Sequence, residues 1–301
     1  MMQIPRVPTH LPIALVLMLN SGCIAVRPPT SLTHTPLPSA MAAPSTPTLA
    51  PAATATRVEP CATSGRVESS VYPGVVVRQP IPFRIYLPPC YDSHAGPYPT
   101  LYALHGKPFD DAHWDDLGLD EAAEAAIASG GSPPFLIVMP YVPEPLFSNT
   151  DGGPGSYEQE FFEGLVPYVQ STYAADPQAA SRALAGISRG GVWALEIGLL
   201  HPEAFDGLAA LSPALAVNRP RPEYDPFGIA SGPGPFPGRI FLAAGETDWA
   251  RAGTERLALA LDEAGVHPGL LIVPGGHDAQ AWESSIGPML EALTAGWDEP
   301  G

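Results

Sequence analysis

Lysine is almost missing from this chain of 301 residues: Lys107 stands alone, and the remaining bases are arginines. Acids outnumber bases 31 to 14, for a formal net charge of −17. No basic stripe exists to neutralise a phosphate backbone, which excludes nucleic-acid binding of the ordinary electrostatic kind. The three cysteines, Cys23, Cys61 and Cys90, are too few for a disulfide scaffold and too scattered for a zinc site. Long apolar runs are also absent. The longest near the start, Leu11–Leu19, is about half of the ~20 residues a helix needs to cross a bilayer. Hydrophobic residues at 45% are ample for a core, and only 15% of residues are charged.

The first residues read as a targeting segment. Arg6 and His10 precede Leu11–Leu19, which suits the apolar region of a secretory signal. The run closes in Leu19-Asn20-Ser21-Gly22-Cys23, which resembles a bacterial lipoprotein signal with Cys23 as the lipidated first mature residue. Asn20 departs from that pattern, and plain export or an unprocessed tail is the alternative. Residues 24–60 are rich in Pro, Thr, Ala and Ser with few large apolar side chains. Such a stretch cannot offset its chain entropy by burial and reads as an extended tether. The expected plan is a signal over residues 1–23, a tether over 24–60 and a globular domain over 61–301. It places the protein outside the cytoplasm, at a bacterial cell surface or secreted, with membrane attachment only through lipidated Cys23. In an oxidising compartment Cys61 and Cys90 can pair; the alternative is two free thiols.

From residue 61 onward apolar runs alternate with amphipathic segments. Arg66–Tyr72 and Phe83–Leu87 read as an opening hairpin or two edge strands. Buried strands are expected at Thr100–His105, Phe135–Tyr141, Ala183–Ile187, Phe205–Leu211, Ile240–Ala244 and Leu270–Val273. Helices are expected at Leu119–Ser129, Tyr157–Tyr173 with a kink at Pro167, Gly190–Leu200 and Thr254–Glu263. A final helix puts Trp282, Ile286, Met289, Leu290 and Leu293 on one stripe. Repeated β-then-α order implies an α/β fold, a mostly parallel central sheet with helices on both faces. Asn149–Ser156 and Pro220–Pro237 are Gly/Pro-rich and read as surface loops.

One constellation carries chemistry. Gly186-Ile187-Ser188-Arg189-Gly190 is a G-x-S-x-G pentapeptide between an expected strand and an expected helix. That context suits a tight turn that lifts a serine hydroxyl off the sheet edge, with glycines allowing close backbone approach. A serine nucleophile needs a base, and the base an orienting acid. His277, in Pro274-Gly275-Gly276-His277-Asp278, directly follows the last strand. Asp248, in Gly245-Glu246-Thr247-Asp248-Trp249, directly follows the strand before it. Nucleophile, acid and base thus come in the order Ser188, Asp248, His277, each just past a strand's C-terminal end, where ligands bind in such sheets. Glu246 is the nearest rival acid, and Asp278 suits a cap on the final helix. His113 falls in a loop and His201 at a helix end. An oxyanion hole needs two donors. One is the backbone N–H of Arg189; the other comes from the loop after Thr100–His105, at Gly106 or Lys107.

Several segments together resemble the Putative esterase family of α/β-hydrolases, which includes S-formylglutathione hydrolase, enterochelin esterase, feruloyl and acetyl-xylan esterases, and mycolyltransferases. They are Leu101 through Gly106, Tyr157 through Tyr168, Ala185 through Gly191, His201 through Phe205, Gly245 through Trp249, and Gly275 through Asp278 with Trp282 following. The resemblance spans roughly residues 80–296. It implies the α/β-hydrolase fold, Ser188, Asp248 and His277 as a triad, and ester hydrolysis without metal or organic cofactor. The implied substrate is a carboxylic ester of a small acyl, feruloyl or acetyl-sugar, or siderophore type, free or linked to a polysaccharide; acyl transfer to another alcohol, or ligand binding without catalysis, are the alternatives. One departure stands out: Arg189 occupies a position where relatives carry Met, Leu, Phe or Tyr. It meets either a nearby acid or a negative group on the substrate. The acidic run Asp110 through Asp116 reads as a solvated turn ahead of a helix rather than a metal site.

Overall fold

The computed structural model describes residues 63–93, 96–149 and 151–297. Cys23, Cys61, the signal and the tether lie outside the described residues. Cys90 is engaged in a disulfide.

The described residues form one eight-stranded sheet in the order β1-β2-β4-β3-β5-β6-β7-β8. β1 (Arg66–Pro73) and β2 (Pro80–Leu87) make the expected antiparallel hairpin at one edge, and β2 pairs antiparallel with β4 (Leu136–Pro140). The remaining pairings among β3 (Thr100–Leu104), β4, β5 (Arg182–Ile187), β6 (Gly207–Leu211), β7 (Arg239–Gly245) and β8 (Gly269–Val273) are all parallel. Eight α-helical segments are described: α1 (His113–Asp116), α2 (Leu119–Ala128), α3 (Tyr157–Gln159), α4 (Val166–Thr172), α5 (Arg189–Leu200), α6 (Pro226–Ala230), α7 (Arg251–Glu263) and α8 (Ala279–Thr294). None is long and apolar enough to cross a membrane.

Strand alternation explains why the central strands read as unbroken apolar runs. Tyr102, Leu104, Leu184, Leu208 and Leu242 pack on one face with α5 and α7. Leu101, Ala103, Ala185, Ala209 and Ala243 pack on the other with α2 and the α8 stripe of Trp282, Ile286, Met289, Leu290 and Leu293. Both faces are covered, so neither can be polar. Helix α5 is buried along nearly its whole length because it sits over the middle of the sheet.

Three expectations change in detail. The irregularity expected at Pro167 is a π-helical stretch, Glu160–Leu165, joining α3 to α4. Val166 N–H reaches back five residues to Phe161 carbonyl, and the wider turn accommodates the proline that follows. The Pro220–Pro237 loop contains α6, started by Asp225, whose carboxylate accepts from Phe227 N–H at 3.1 Å. His113 belongs to a short helix and is buried.

Candidate active site

Ser188, Lys107, Asp248 and His277 stand on loops that leave β5, β3, β7 and β8, so all four gather at the C-terminal edge of the sheet. The turn at Ser188 is sharp. Its φ of 54° is a left-handed value that a non-glycine residue holds only under constraint. Constraint comes from both sides: Ser188 N–H donates to Leu211 carbonyl at 2.9 Å, and Ser188 carbonyl accepts from Ala214 N–H at 3.0 Å. The flanking glycines are obligatory for space. A Cβ on Gly186 would lie 2.1 Å from the Gly190 carbonyl oxygen, and one on Gly190 would lie 2.4 Å from that of His105. The loops of acid and base are locked in the same way: a Cβ on Gly245 would lie 2.5 Å from Gly276 carbonyl oxygen, and Thr247 N–H bonds Gly275 carbonyl at 3.0 Å.

His277 Nε2 lies 2.9 Å from Ser188 Oγ, and His277 Nδ1 lies 2.9 Å from Asp248 Oδ1. The same Oδ1 accepts from Ala250 N–H at 2.7 Å. Burial alone would push the Asp248 carboxyl up, but hydrogen bonds from His277, Ser212 and Ala250 outweigh it and hold the group below its ordinary pKa. An ionised Asp248 fixes a proton on Nδ1 and leaves Nε2 free to accept one. Asp278 does not join this relay; it caps α8, with Oδ1 accepting from Ala281 N–H and Oδ2 from Gly276 N–H.

The two candidate donors of this loop differ in what they already bond. Gly106 N–H is already bonded to His113 Nδ1 at 3.1 Å, so it cannot also serve an oxyanion. The Lys107 N–H, one residue on, donates to no backbone carbonyl among the described loop bonds. His113 therefore orders that loop, a contact the sequence reading missed. It stays neutral: burial, with His105 adding to it, drives its pKa down to about 4. His105 is also held neutral by burial; Nδ1 donates to Gly106 carbonyl at 3.0 Å and Nε2 accepts from Val142 N–H at 3.0 Å, a scaffolding role.

Two further residues join the site unannounced. Ser212, just past β6 and also at positive φ, accepts from the Trp282 indole N–H at 3.1 Å and faces Asp248. Trp282 sets its ring edge-on to His277 at 5.4 Å. Asn218, in the loop after β6, accepts from the Arg189 guanidinium at 2.8 Å. The acid expected as a partner for Arg189 is thus replaced by a neutral amide, because the loop that folds over the elbow offers Asn218 at that point. The rim is aromatic. Trp249, 48% exposed, lies tilted against the His277 ring at 4.4 Å, and the half-exposed Phe109 stacks on His113 at 3.9 Å. A recess of about 510 Å³ near Arg239 and His267 opens at the opposite, N-terminal end of the strands and takes no part. Among the described residues no group of His, Cys, Asp and Glu could hold a metal ion; Asp111 and Asp115 of the acidic turn instead face Arg84.

Known proteins agree with this architecture. A "ferulic acid esterase" structure superposes with a TM-score of 0.69 at 22% identity, covering 77% of this chain and 98% of its own. S-formylglutathione hydrolase of Staphylococcus aureus gives 0.65 at 17% identity, covering 77% and 100%. In sequence, an endo-1,4-beta-xylanase/feruloyl esterase of Xylanibacter ruminicola is 27% identical over 203 residues. That match covers 65% of this chain and only 26% of the relative, so the chain spans about a quarter of it. Residues 75–293 match the family described as "Putative esterase", well over half of the chain. On fold and family match together, the chain belongs to the Putative esterase family of α/β-hydrolases.

Proposed function

We propose that the protein is a serine esterase, and one observation carries the reading: Ser188, His277 and Asp248 form an unbroken hydrogen-bonded relay with both links at 2.9 Å. His277 Nε2 takes the Ser188 proton as Oγ attacks the ester carbonyl. The N–H groups of Arg189 and Lys107 receive the tetrahedral oxyanion. His277 then protonates the departing alcohol, leaving an acyl-Ser188, and a water deprotonated by the same imidazole releases the acid. The exposed Trp249 and Phe109 offer flat surfaces for an aromatic acyl group or a sugar ring, which fits feruloyl esters of the kind named by the relatives, and acetyl-sugar esters as well. For the enzyme's place in the cell we propose export, with Cys23 as lipid anchor and Cys61 as the disulfide partner of Cys90; mass spectrometry of the mature N-terminus tests the first, and non-reducing peptide mapping the second.

Turnover of p-nitrophenyl acetate that disappears in Ser188→Ala is the expected result. Comparable turnover by that variant would remove Ser188 as nucleophile. Product analysis with an added alcohol separates hydrolysis, which we favour, from acyl transfer.

A further inference from the structure

Arg189 has an unusual charge environment. Its side chain leaves the residue directly after the nucleophile and is about half-buried, and burial pulls its pKa down. Its one hydrogen-bond partner among the described residues is the Asn218 side-chain oxygen, a neutral acceptor, at 2.8 Å. No carboxylate among the described residues lies within ion-pair distance. The acid whose charge it feels, Glu144, is already held by Lys107 Nζ at 2.6 Å and by Ser148 Oγ at 2.8 Å. Arg219, the next cation along the same loop, donates to the carbonyls of Ala216 and Asn218 rather than to an acid.

A guanidinium carries five N–H donors in a planar fork, and one bond to an amide leaves most of them unused. None of the Arg189 nitrogens is among the buried unsatisfied atoms of the described residues, so the donors that Asn218 leaves unused are not sealed in the core. Removing an arginine from water without an acid to meet it is costly. In a chain with 31 acids, an acid partner was easily available to a purely structural arginine. The guanidinium is tied to the Asn218 loop and feels the charge of Glu144 without bonding it. Arg189 opens α5 directly after Ser188, so its side chain is rooted at the same sheet edge as the nucleophile.

We infer that Arg189 reads a negative group on the substrate, so that the preferred ester carries a carboxylate on its acyl or its alcohol part close to the scissile bond. The inference rests on the esterase reading and narrows it. Asn218 pre-orients the fork, and the incoming carboxylate completes it with charge-assisted, bidentate hydrogen bonds.

The test uses two matched pairs of chromogenic esters. On the acyl side, mono-p-nitrophenyl glutarate is compared with p-nitrophenyl valerate. On the alcohol side, 3-acetoxy-4-nitrobenzoate is compared with o-nitrophenyl acetate. The readout is the anionic-to-neutral ratio of kcat/KM in the unaltered protein, in Arg189→Gln and in Arg189→Lys, which cancels the intrinsic reactivity of each ester and any general damage. In one pair the ratio is expected to drop about 10- to 100-fold in Arg189→Gln, with Lys retaining part of it. Added salt should lower the ratio in the unaltered protein and leave that of Arg189→Gln nearly unmoved. The pair that responds identifies which side of the ester bears the carboxylate. Ratios that stay within about twofold in both pairs would overturn the inference and make Arg189 a brace for the Asn218 loop. Failure to cleave any of the four esters, anionic or neutral, would instead defeat the esterase reading itself, and this inference with it.

Discussion

At the scale of single residues, the site depends on side chains that never touch substrate. His113 accepts the Gly106 N–H and so pins the loop that carries Lys107, the proposed oxyanion donor. His113→Ala removes that acceptor and leaves a buried N–H unmet. kcat is expected to fall about tenfold, equivalent to ~1.4 kcal/mol of barrier, with KM within about twofold. His113→Asn, which keeps an acceptor oxygen, should recover part of kcat. Equal changes in kcat and KM, or no recovery, would reduce His113 to packing beneath Phe109 and Trp282. Asp248→Asn acts on the other side of the relay. The amide can donate to Nδ1 and so favours the wrong tautomer of His277, and kcat should drop roughly a thousandfold or more while the fold persists. Steady-state kinetics beside circular dichroism separates loss of chemistry from loss of structure.

At the scale of elements, the elbow shows how packing and chemistry share the same glycines. Gly190 lies where α5 crosses β3, with a would-be Cβ 2.4 and 2.5 Å from the carbonyl oxygens of His105 and Leu104. Backbone cannot give way as a flexible side chain does, so Gly190→Ala should push α5 off the sheet and cost several kcal/mol in urea unfolding. Gly253, in the first turn of α7, is the contrast: its would-be Cβ meets only ordinary contacts at 3.4 Å and beyond, and Gly253→Ala should stabilise by about 0.5–1 kcal/mol. The same elements mark how far sequence reasoning reaches. The order of strands and helices was legible because a sheet covered on both faces must be written in apolar runs. Ser188, Asp248 and His277 could be singled out because each follows such a run at once. The His113–Gly106 bond and the Arg189–Asn218 pairing were not legible, since they depend on how loops from different strands fall across one another. The short helix Pro226–Ala230 had its signals, an Asp225 cap and a proline at its first position, but they were hidden in a stretch whose glycines and prolines read as loop.

For the whole molecule, stability against pH is set by buried groups that keep the wrong charge state for water. His113, at about 4, and His105, also lowered, stay neutral in the fold while an unfolded histidine gains a proton near 6.5. Between those values the unfolded chain binds more protons, so stability rises with pH across that window and is complete above it. Glu196 acts in the opposite sense. It is fully buried in α5, neither carboxylate oxygen has a hydrogen-bond partner of good geometry among the described residues, and burial pushes it up to about 9; the nearby Gly152 N–H only partly offsets this. An unfolded glutamate ionises near 4.5, so from there to about 9 the native state holds a proton the unfolded state has lost. Stability therefore falls with rising pH at about 1.4 kcal/mol per unit over that range. Below about 6.5 the histidines oppose this decline; above it Glu196 acts without them. Glu196→Gln keeps the shape and removes the ionisation. The amide's own unmet donors cost the same at every pH, so the telling quantity is the trend. The stability of the variant relative to the unaltered protein should climb steadily from pH 5 to 8.5, read from urea midpoints at several buffers. A difference that stays flat across that range would mean Glu196 is charged in the fold, and the covering loop around Asp151 and Gly152 would then have to supply a partner for it.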